Sequence, residues 1–362
     1  MIRRRLSKQV MVGNVPVGGG APISVQSMTK TDTRDIAATT RQVRELEAAG
    51  CEIVRVAVPD AEAAEALGQI VRSARIPVVA DIHFDYRLAL AALNAGVHGL
   101  RLNPGNIRQK EHIKAIVMAA RERRVPIRIG VNAGSVPPSF KPKLGMARRM
   151  VDLALEQVRL LEDMGFDLIK ISLKAFDIET TVRAYRMMAR KSSYPLHLGI
   201  TESGLPQAGT IRSAVGLGIL LYQGIGDTIR VSLTGHPVEE VRVGFEILKS
   251  LGLRQRGPVL VSCPTCGRTE TDLITMARAV EELLSEVTQP IKVAVMGCVV
   301  NGPGEARDAD VGIACGKGRC AIFRKGKIVA TVDEGEALSA LFRVIGEAVD
   351  SANRQHFWGT SQ

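Results

Sequence analysis

Between residues 22 and about 250 the chain passes eight times from a short β-rich run to a longer helical stretch, and few folds accommodate that rhythm. The runs are Ile23–Ser27, Ile53–Val58, Pro77–Asp81, Gly99–Leu102, Pro126–Gly130, Leu168–Ser172, Pro195–Gly199 and Thr228–Val231. Between them lie stretches rich in Ala, Leu, Glu and Arg, with apolar residues three and four apart, as over Thr40–Ala49, Ala61–Ser73, Glu111–Arg123, Arg148–Met164 and Pro237–Leu251. Gly50, Gly96 and Gly165 follow such stretches, where a glycine ends a helix most easily. Strand–helix alternation implies parallel βαβ units, and eight of them in roughly this length make a TIM (β/α)8 barrel. A doubly wound open sheet is the competing architecture, but it would carry a glycine fingerprint after its first strand. Met28-Thr29-Lys30-Thr31-Asp32 stands there instead.

The pattern changes at Arg254-Gln255-Arg256-Gly257-Pro258, which reads as a linker between a barrel over 1–256 and a smaller α+β domain over 257–362. The second part is expected to hold strands before Cys263 and Cys298 and a helix over Thr271–Glu286. Three further strands, Asp310–Ala314, Ala321–Arg324 and Lys327–Thr331, precede a last helix over Glu334–Ser351 and a frayed tail over Arg354–Gln362. Charge divides with the domains. Residues 257–362 hold 11 basic and 13 acidic side chains, whereas the preceding part holds 37 basic and 24 acidic, and the whole chain carries +11. Aromatics are only 4% and no basic run is interleaved with them, so an anionic small molecule fits the basic barrel better than a nucleic acid. No apolar run is long enough to span a bilayer. The basic start Met1-Ile2-Arg3-Arg4-Arg5-Leu6 is followed by no apolar segment, so a reducing cytoplasm is expected, with the cysteines available for metal or thiol chemistry.

Two turns concentrate that chemistry. Cys263 and Cys266 sit in Ser262-Cys-Pro-Thr-Cys-Gly-Arg-Thr269, and Cys298 in Met296-Gly-Cys-Val-Val-Asn-Gly-Pro-Gly-Glu-Ala306. Each follows a short apolar run, so two strand ends present thiolates together. A Cys-x-x-Cys turn with a distant third Cys is the spacing of a zinc site or an iron–sulfur cluster. A redox dithiol would explain the first turn but give Cys298 no reason. The spacing leaves the fourth ligand open among Cys315, Cys320 and Glu305, while Cys51 reads as a core thiol.

In the barrel, functional groups belong at the C-terminal ends of strands. Arg55, Arg101, Arg128, Lys170 and Arg230 interrupt otherwise aliphatic strands, and a buried unpaired cation is costly. Five of them aimed into one barrel mouth call for a phosphate or diphosphate, with Asp81 and Glu202 as the available internal counter-charges. Asn103, Asn132, Thr201 and Ser232 lie at the same ends, and His83 and Glu202 are the groups able to move a proton.

These turns closely resemble those of the 4-hydroxy-3-methylbut-2-enyl diphosphate synthase family of the methylerythritol phosphate route to isoprenoids. The resemblance extends through Val25-Gln-Ser-Met-Thr-Lys-Thr-Asp-Thr33, Ala80-Asp-Ile-His-Phe84, Arg101-Leu-Asn-Pro-Gly-Asn106, Gly130-Val-Asn-Ala-Gly-Ser135 and Leu198-Gly-Ile-Thr-Glu202, covering essentially the whole chain. It implies an oxidoreductase that opens 2-C-methyl-D-erythritol 2,4-cyclodiphosphate reductively, with two electrons and loss of water. It also implies one [4Fe-4S] cluster on Cys263, Cys266, Cys298 and Glu305; because a carboxylate is a harder and more labile ligand than a thiolate, Glu305 is expected to be the one that could yield its iron to a substrate oxygen. Flavodoxin or ferredoxin would serve as electron donor. A homodimer is implied in which one chain's cluster domain covers the other's barrel. The rival from another class is a zinc-stabilised, phosphate-binding barrel aldolase or synthase, which would need no reductant.

Overall fold

The computed structural model describes residues 2–358 except 84, 103–108, 142, 299–303 and 305–307, with no side-chain description beyond residue 350. The chain divides into two compact units, Met1–Arg254 and Gln255–Gln362.

The first unit opens with a hairpin, β1 (Val10–Val12) and β2 (Val15–Val17), followed by eight parallel strands: β3 (Ser24–Met28), β4 (Ile53–Val58), β5 (Val78–Ile82), β6 (Gly99–Leu102), β7 (Ile127–Asn132), β8 (Ile169–Lys174), β9 (His197–Leu198) and β10 (Thr228–Ile229). The sheet order is β8-β7-β6-β5-β4-β3-β10-β9, and a parallel bridge from Ile171 to Leu196 brings β9 back beside β8. The Tyr185 hydroxyl strengthens that junction by accepting the Leu173 N–H at 3.0 Å and donating to the His197 carbonyl at 2.5 Å.

Eight helices follow the strands: α1 (Ile36–Ala48), α2 (Ala61–Ser73), α3 (Tyr86–Asn94), α4 (Lys110–Glu122), α5 (Met146–Asp163), α6 (Ile178–Lys191), α7 (Pro206–Tyr222) and α8 (Pro237–Ser250). Asp35, Asp60, Asp85 and Asp177 cap α1, α2, α3 and α6 by accepting a backbone N–H of the first turn. Gly50, Gly96 and Gly165 adopt φ of 87°, 87° and 72° just past α1, α3 and α5, the left-handed stop anticipated from the sequence. Strand parity builds the core: Val54, Val56, Ala80, Ile82, Leu100, Ile129 and Ile171 face the helices in one buried cluster, while their neighbours face the barrel axis.

The β1–β2 hairpin carries no signal strong enough to stand out in the sequence. Val10, Val12 and Val17 form a separate apolar cluster with Ile53 and Val79, which lie near the N-terminal ends of β4 and β5. It plugs the end of the barrel opposite the strand C-termini.

The second unit is a five-stranded sheet in the order β11 (Val259–Ser262), β12 (Lys292–Met296), β13 (Val311–Gly316), β14 (Arg319–Arg324) and β15 (Lys327–Asp333). The first three are parallel and the last two antiparallel. Helices α9 (Leu273–Ser285) and α10 (Ala337–Trp358) cover one face through Leu273, Met276, Val280, Leu284, Leu341 and Ile345. Helix α10 runs past the expected end at Ser351, since no Gly or Pro lies between Ser351 and Gly359.

Cys315 and Cys320, candidates for a fourth ligand, are directly opposite each other on the β13–β14 hairpin and form a disulfide. Lys317 and Gly318 between the strands have φ of 49° and 75°, the two left-handed residues that a tight two-residue hairpin turn requires.

Candidate functional site

The inward-facing positions of a TIM barrel are usually branched aliphatics; here they are charged. A cavity of about 240 Å³ at the C-terminal ends of the strands is lined by Arg55, Asp81, His83, Arg101, Arg128, Asn132, Ser172, Lys174, Thr201, Arg230 and Ser232. Three of its basic side chains are nearly inaccessible, with Arg101, Arg128 and Lys174 exposed by 4, 2 and 6%.

Two glycines make room for them. A Cβ on Gly130 would lie 2.7 Å from Arg101 Nε, and one on Gly199 would lie 2.6 Å from Lys174 Nζ. At these two strand positions the side chain of a neighbour occupies the place a glycine leaves open.

Counter-charge is scarce. Asp81 accepts from Arg101 Nη1 at 3.1 Å, and lies 3.6 Å from Arg55 Nε and 3.4 Å from His83 Nε2. Burial alone would raise its carboxyl. Arg55, the His83 hydrogen bond and Arg101 outweigh that and hold it well below the usual carboxylate range. Arg230 lies 3.5 Å from Glu240, which also accepts from Ser27 and the Leu233 N–H and pairs with Lys30 at 3.0 Å. Arg128 donates to Ser172 Oγ at 3.2 Å, while its Nε and second terminal nitrogen have no protein hydrogen-bond partner. Burial and then Arg128 push Lys170 down to about 7. Among the described residues no carboxylate forms an ion pair with Arg128, Lys170 or Lys174. Six interior basic side chains therefore face two carboxylates; the four arginines alone outnumber them, and that surplus selects a multivalent anion.

Arg55, His83, Arg101, Arg128, Asn132, Thr201, Arg230 and Ser232, all candidates from the sequence, line this one cavity. Lys170 faces the axis four residues deeper than Lys174, outside the lining. Glu202 is exposed beside Thr201 with φ of 58°, a conformation uncommon for a residue with a side chain. Asn103 lies outside the described residues. Sequence reading missed Lys174, which ends the same alternation that gave Lys170. It also missed Glu240, an acidic residue 1% exposed on the inner face of α8 beside Val241 and Gly244, and that helical spacing was the available signal.

In the second unit, Cys263 directly follows β11 and Cys298 lies two residues past β12. The last paired residues of these parallel strands are Ser262 and Val295, and the Cys263 N–H donates to the Val295 carbonyl at 3.0 Å. The Cys266 N–H donates to Thr269 Oγ1, the Thr269 N–H returns to the Cys266 carbonyl, and the Glu270 N–H reaches the Gly297 carbonyl. Thr265 between the cysteines has φ of 63°, a costly conformation for a β-branched residue and one retained at functional turns. A Cβ on Gly297 would come within 2.9 Å of Thr269, so glycine permits the two cysteine turns to meet. Cys263, Cys266 and Cys298 are outside any disulfide. Glu305 lies outside the described residues.

Among the described residues no three His, Cys, Asp or Glu side chains converge on a single ion. Thiolates presented at the ends of two adjacent parallel strands are soft donors of the kind that zinc and iron–sulfur centres take.

The barrel's fold recurs in the spore coat polysaccharide biosynthesis protein spsE of Bacillus subtilis, at 11% identity and a TM-score of 0.51 over 68% of this chain and 72% of that one. The GcpE TIM-barrel domain matches residues 7–245, and the GcpE protein C-terminal domain matches residues 259–347. The chain is 61% identical over 345 residues to the 4-hydroxy-3-methylbut-2-en-1-yl diphosphate synthase (flavodoxin) of Dehalococcoides mccartyi, covering 95% of this chain and 99% of that one. It is 62% identical to the enzyme of the same name from Geobacter sulfurreducens, covering 92% and 96%. The chain belongs to the GcpE family of 4-hydroxy-3-methylbut-2-en-1-yl diphosphate synthases.

Proposed function

We infer that this chain converts 2-C-methyl-D-erythritol 2,4-cyclodiphosphate to (E)-4-hydroxy-3-methylbut-2-enyl diphosphate, as an oxidoreductase of isoprenoid biosynthesis. The observation that carries this reading is the surplus of cations over carboxylates inside the barrel, on the lining of a single cavity. Arg55, Arg101, Arg128, Lys174 and Arg230 hold the cyclic diphosphate, with Asn132, Thr201 and Ser232 as neutral hydrogen-bonding partners. When the ring opens, the phosphate oxygen that leaves carbon takes the bond's electron pair, so the product carries one more negative charge than the substrate. Fixed guanidinium groups in a water-poor pocket favour that change, because they need not reorganise as charge develops. Two electrons and one proton are consumed, and a hydroxyl departs as water. His83, on the cavity lining, and Glu202, exposed beside Thr201, are the proton-handling groups.

Cys263, Cys266, Cys298 and Glu305 would hold a [4Fe-4S] cluster. Such a cluster, when bound, supplies electrons singly, which the carbon skeleton requires. The names of the Dehalococcoides mccartyi and Geobacter sulfurreducens enzymes support flavodoxin as the donor. Among the described residues no helix is long and apolar enough to cross a membrane, and the cytoplasm is the compartment this chemistry suits.

A homodimer is part of the same reading. Ile211, Val215 and Tyr222 are 63, 47 and 71% exposed, and spacings of four and seven residues put them along one face of α7. An apolar stripe of this kind is characteristic of an interface. Replacing Ile211 and Val215 together by Asp is expected to yield a folded monomer by light scattering, while an unchanged dimer would exclude this face.

Purification without oxygen, with iron, acid-labile sulfide and zinc measured together, tests the cluster. About four irons and four sulfides per chain are expected, followed by turnover of the cyclodiphosphate with a strong reductant. Stoichiometric zinc without sulfide would support a zinc-stabilised barrel aldolase or synthase instead.

A further inference from the structure

His197 faces the barrel interior from β9, completely buried, with Nε2 3.4 Å from Lys174 Nζ. Tyr185 fixes its backbone through the 2.5 Å bond to its carbonyl. Gly199, the next inward position, leaves the space that Lys174 Nζ occupies. Burial first, then Arg128, Lys174 and Lys170, hold the imidazole neutral. Once Lys174 is protonated its ammonium has no lone pair, so Nε2 is then its acceptor and Nδ1 carries the ring proton. The imidazole therefore orients the lysine without supplying counter-charge.

The groups around Lys174 differ in what they can do. Asp81 on β5 is engaged by Arg55, Arg101 and His83, and Glu240 on α8 by Arg230 and Lys30. Arginine keeps its proton in any protein environment. A buried lysine among arginines gives its proton up instead. Burial, followed by Arg128, Arg230, Arg55 and Arg101, drives the Lys174 ammonium well below its ordinary range. Lys170 is the other lysine in this position, but it is outside the cavity lining.

We propose that Lys174 is a charge-matching residue: seated on His197 at the pocket floor, it takes up a proton as the diphosphate enters, so that the site gains its last cation together with its anion. His197 and Gly199 are positioning residues for it. This rests on the reading of the barrel as a diphosphate site. It has a defined sign: a group whose proton affinity rises on binding makes binding tighter as pH falls.

The test is calorimetric titration of the cluster-loaded protein with the cyclodiphosphate, without reductant, at pH 8, in buffers of different ionisation heat. The dependence of the observed heat on buffer counts protons. About one proton taken up per chain is expected. Lys174→Met should abolish the uptake and Lys170→Met preserve it. His197→Leu should reduce it, and His197→Gln, which keeps an acceptor, should restore it. Gly199→Ala displaces Lys174 Nζ without removing the amine, and should move the pH at which affinity declines. Binding without proton uptake, or uptake that survives in Lys174→Met, overturns the proposal while leaving the barrel as the diphosphate site. Absence of binding in the unaltered protein overturns both.

Discussion

A Cys298→Ala protein is expected to purify without brown colour and to lose turnover by at least about a thousandfold, equivalent to about 4 kcal/mol in the barrier. Cys298 is the buried member of the three thiols, 8% exposed, two residues beyond β12 on a turn that Gly297 allows to approach Thr269. Removing it leaves the Cys-x-x-Cys turn and Glu305, with no thiolate from the end of the neighbouring strand. Iron and sulfide should fall together, and cyclodiphosphate affinity should persist, because the cations that hold the diphosphate are all in the barrel. Cys51→Ala is the matched control. Its thiol donates to the Ile53 carbonyl at 3.1 Å and burial pushes it up to about 12, so it is inert, and its loss should change neither iron nor sulfide. A Cys298→Ala protein that retained four irons would remove Cys298 from the ligand set.

The second large effect concerns Asp81. Replacing it by Asn keeps the shape but removes the charge shared by Arg55, Arg101 and His83. Breaking a buried pair from one side typically costs about 3–5 kcal/mol, and here the partners would face a cluster already rich in cations. Urea denaturation should show a stability loss of about that size. Added pyrophosphate should restore more of it in the variant than in the unaltered protein, because an anion that binds only the folded state stabilises by linkage. The pH dependence has a fixed sign. The Asp81 carboxyl lies lower in the folded than in the unfolded protein, so its stabilisation is present above about pH 4 and lost as pH falls below that value. In Asp81→Asn the acid limb of the stability curve should flatten accordingly. A variant as stable as the original would show that the interior cations impose no electrostatic load.

How much of this was legible in the sequence follows from where each residue sits. Arg55, Arg101, Arg128 and Arg230 stood out because a charged residue among β-branched neighbours violates the usual strand pattern. The same parity places them inside the barrel. Lys174 obeys that parity too, yet it falls at the end of β8, where a sequence pattern fades into a loop. Glu240 was hidden because acidic residues are common in the first turn of a helix, and only the fold shows that this one faces inward. Gly130 and Gly199 gave no warning, since their role is set by side chains arriving from other strands. Cys315 and Cys320 looked like ligand candidates by residue type, and only the hairpin register shows that they face each other. The cysteine turns were the most informative stretch because short spacing, rather than tertiary placement, carries their chemistry.

The β1–β2 plug has a kinetic consequence. With Val12 and Val17 sealing one end against Ile53 and Val79, the barrel is a vessel with a single neck, and its walls are helices and aliphatic strand faces of low polarizability. Such walls concentrate the cationic field at the neck. Mobile ions can relieve it only by coming through the same opening, within roughly a Debye length of the charges they screen. Dissolved salt would then act on this enzyme chiefly as a rival occupant of the well: phosphate and sulfate should compete with substrate in proportion to their charge, while chloride at equal ionic strength should slow entry and leave the folded barrel largely indifferent.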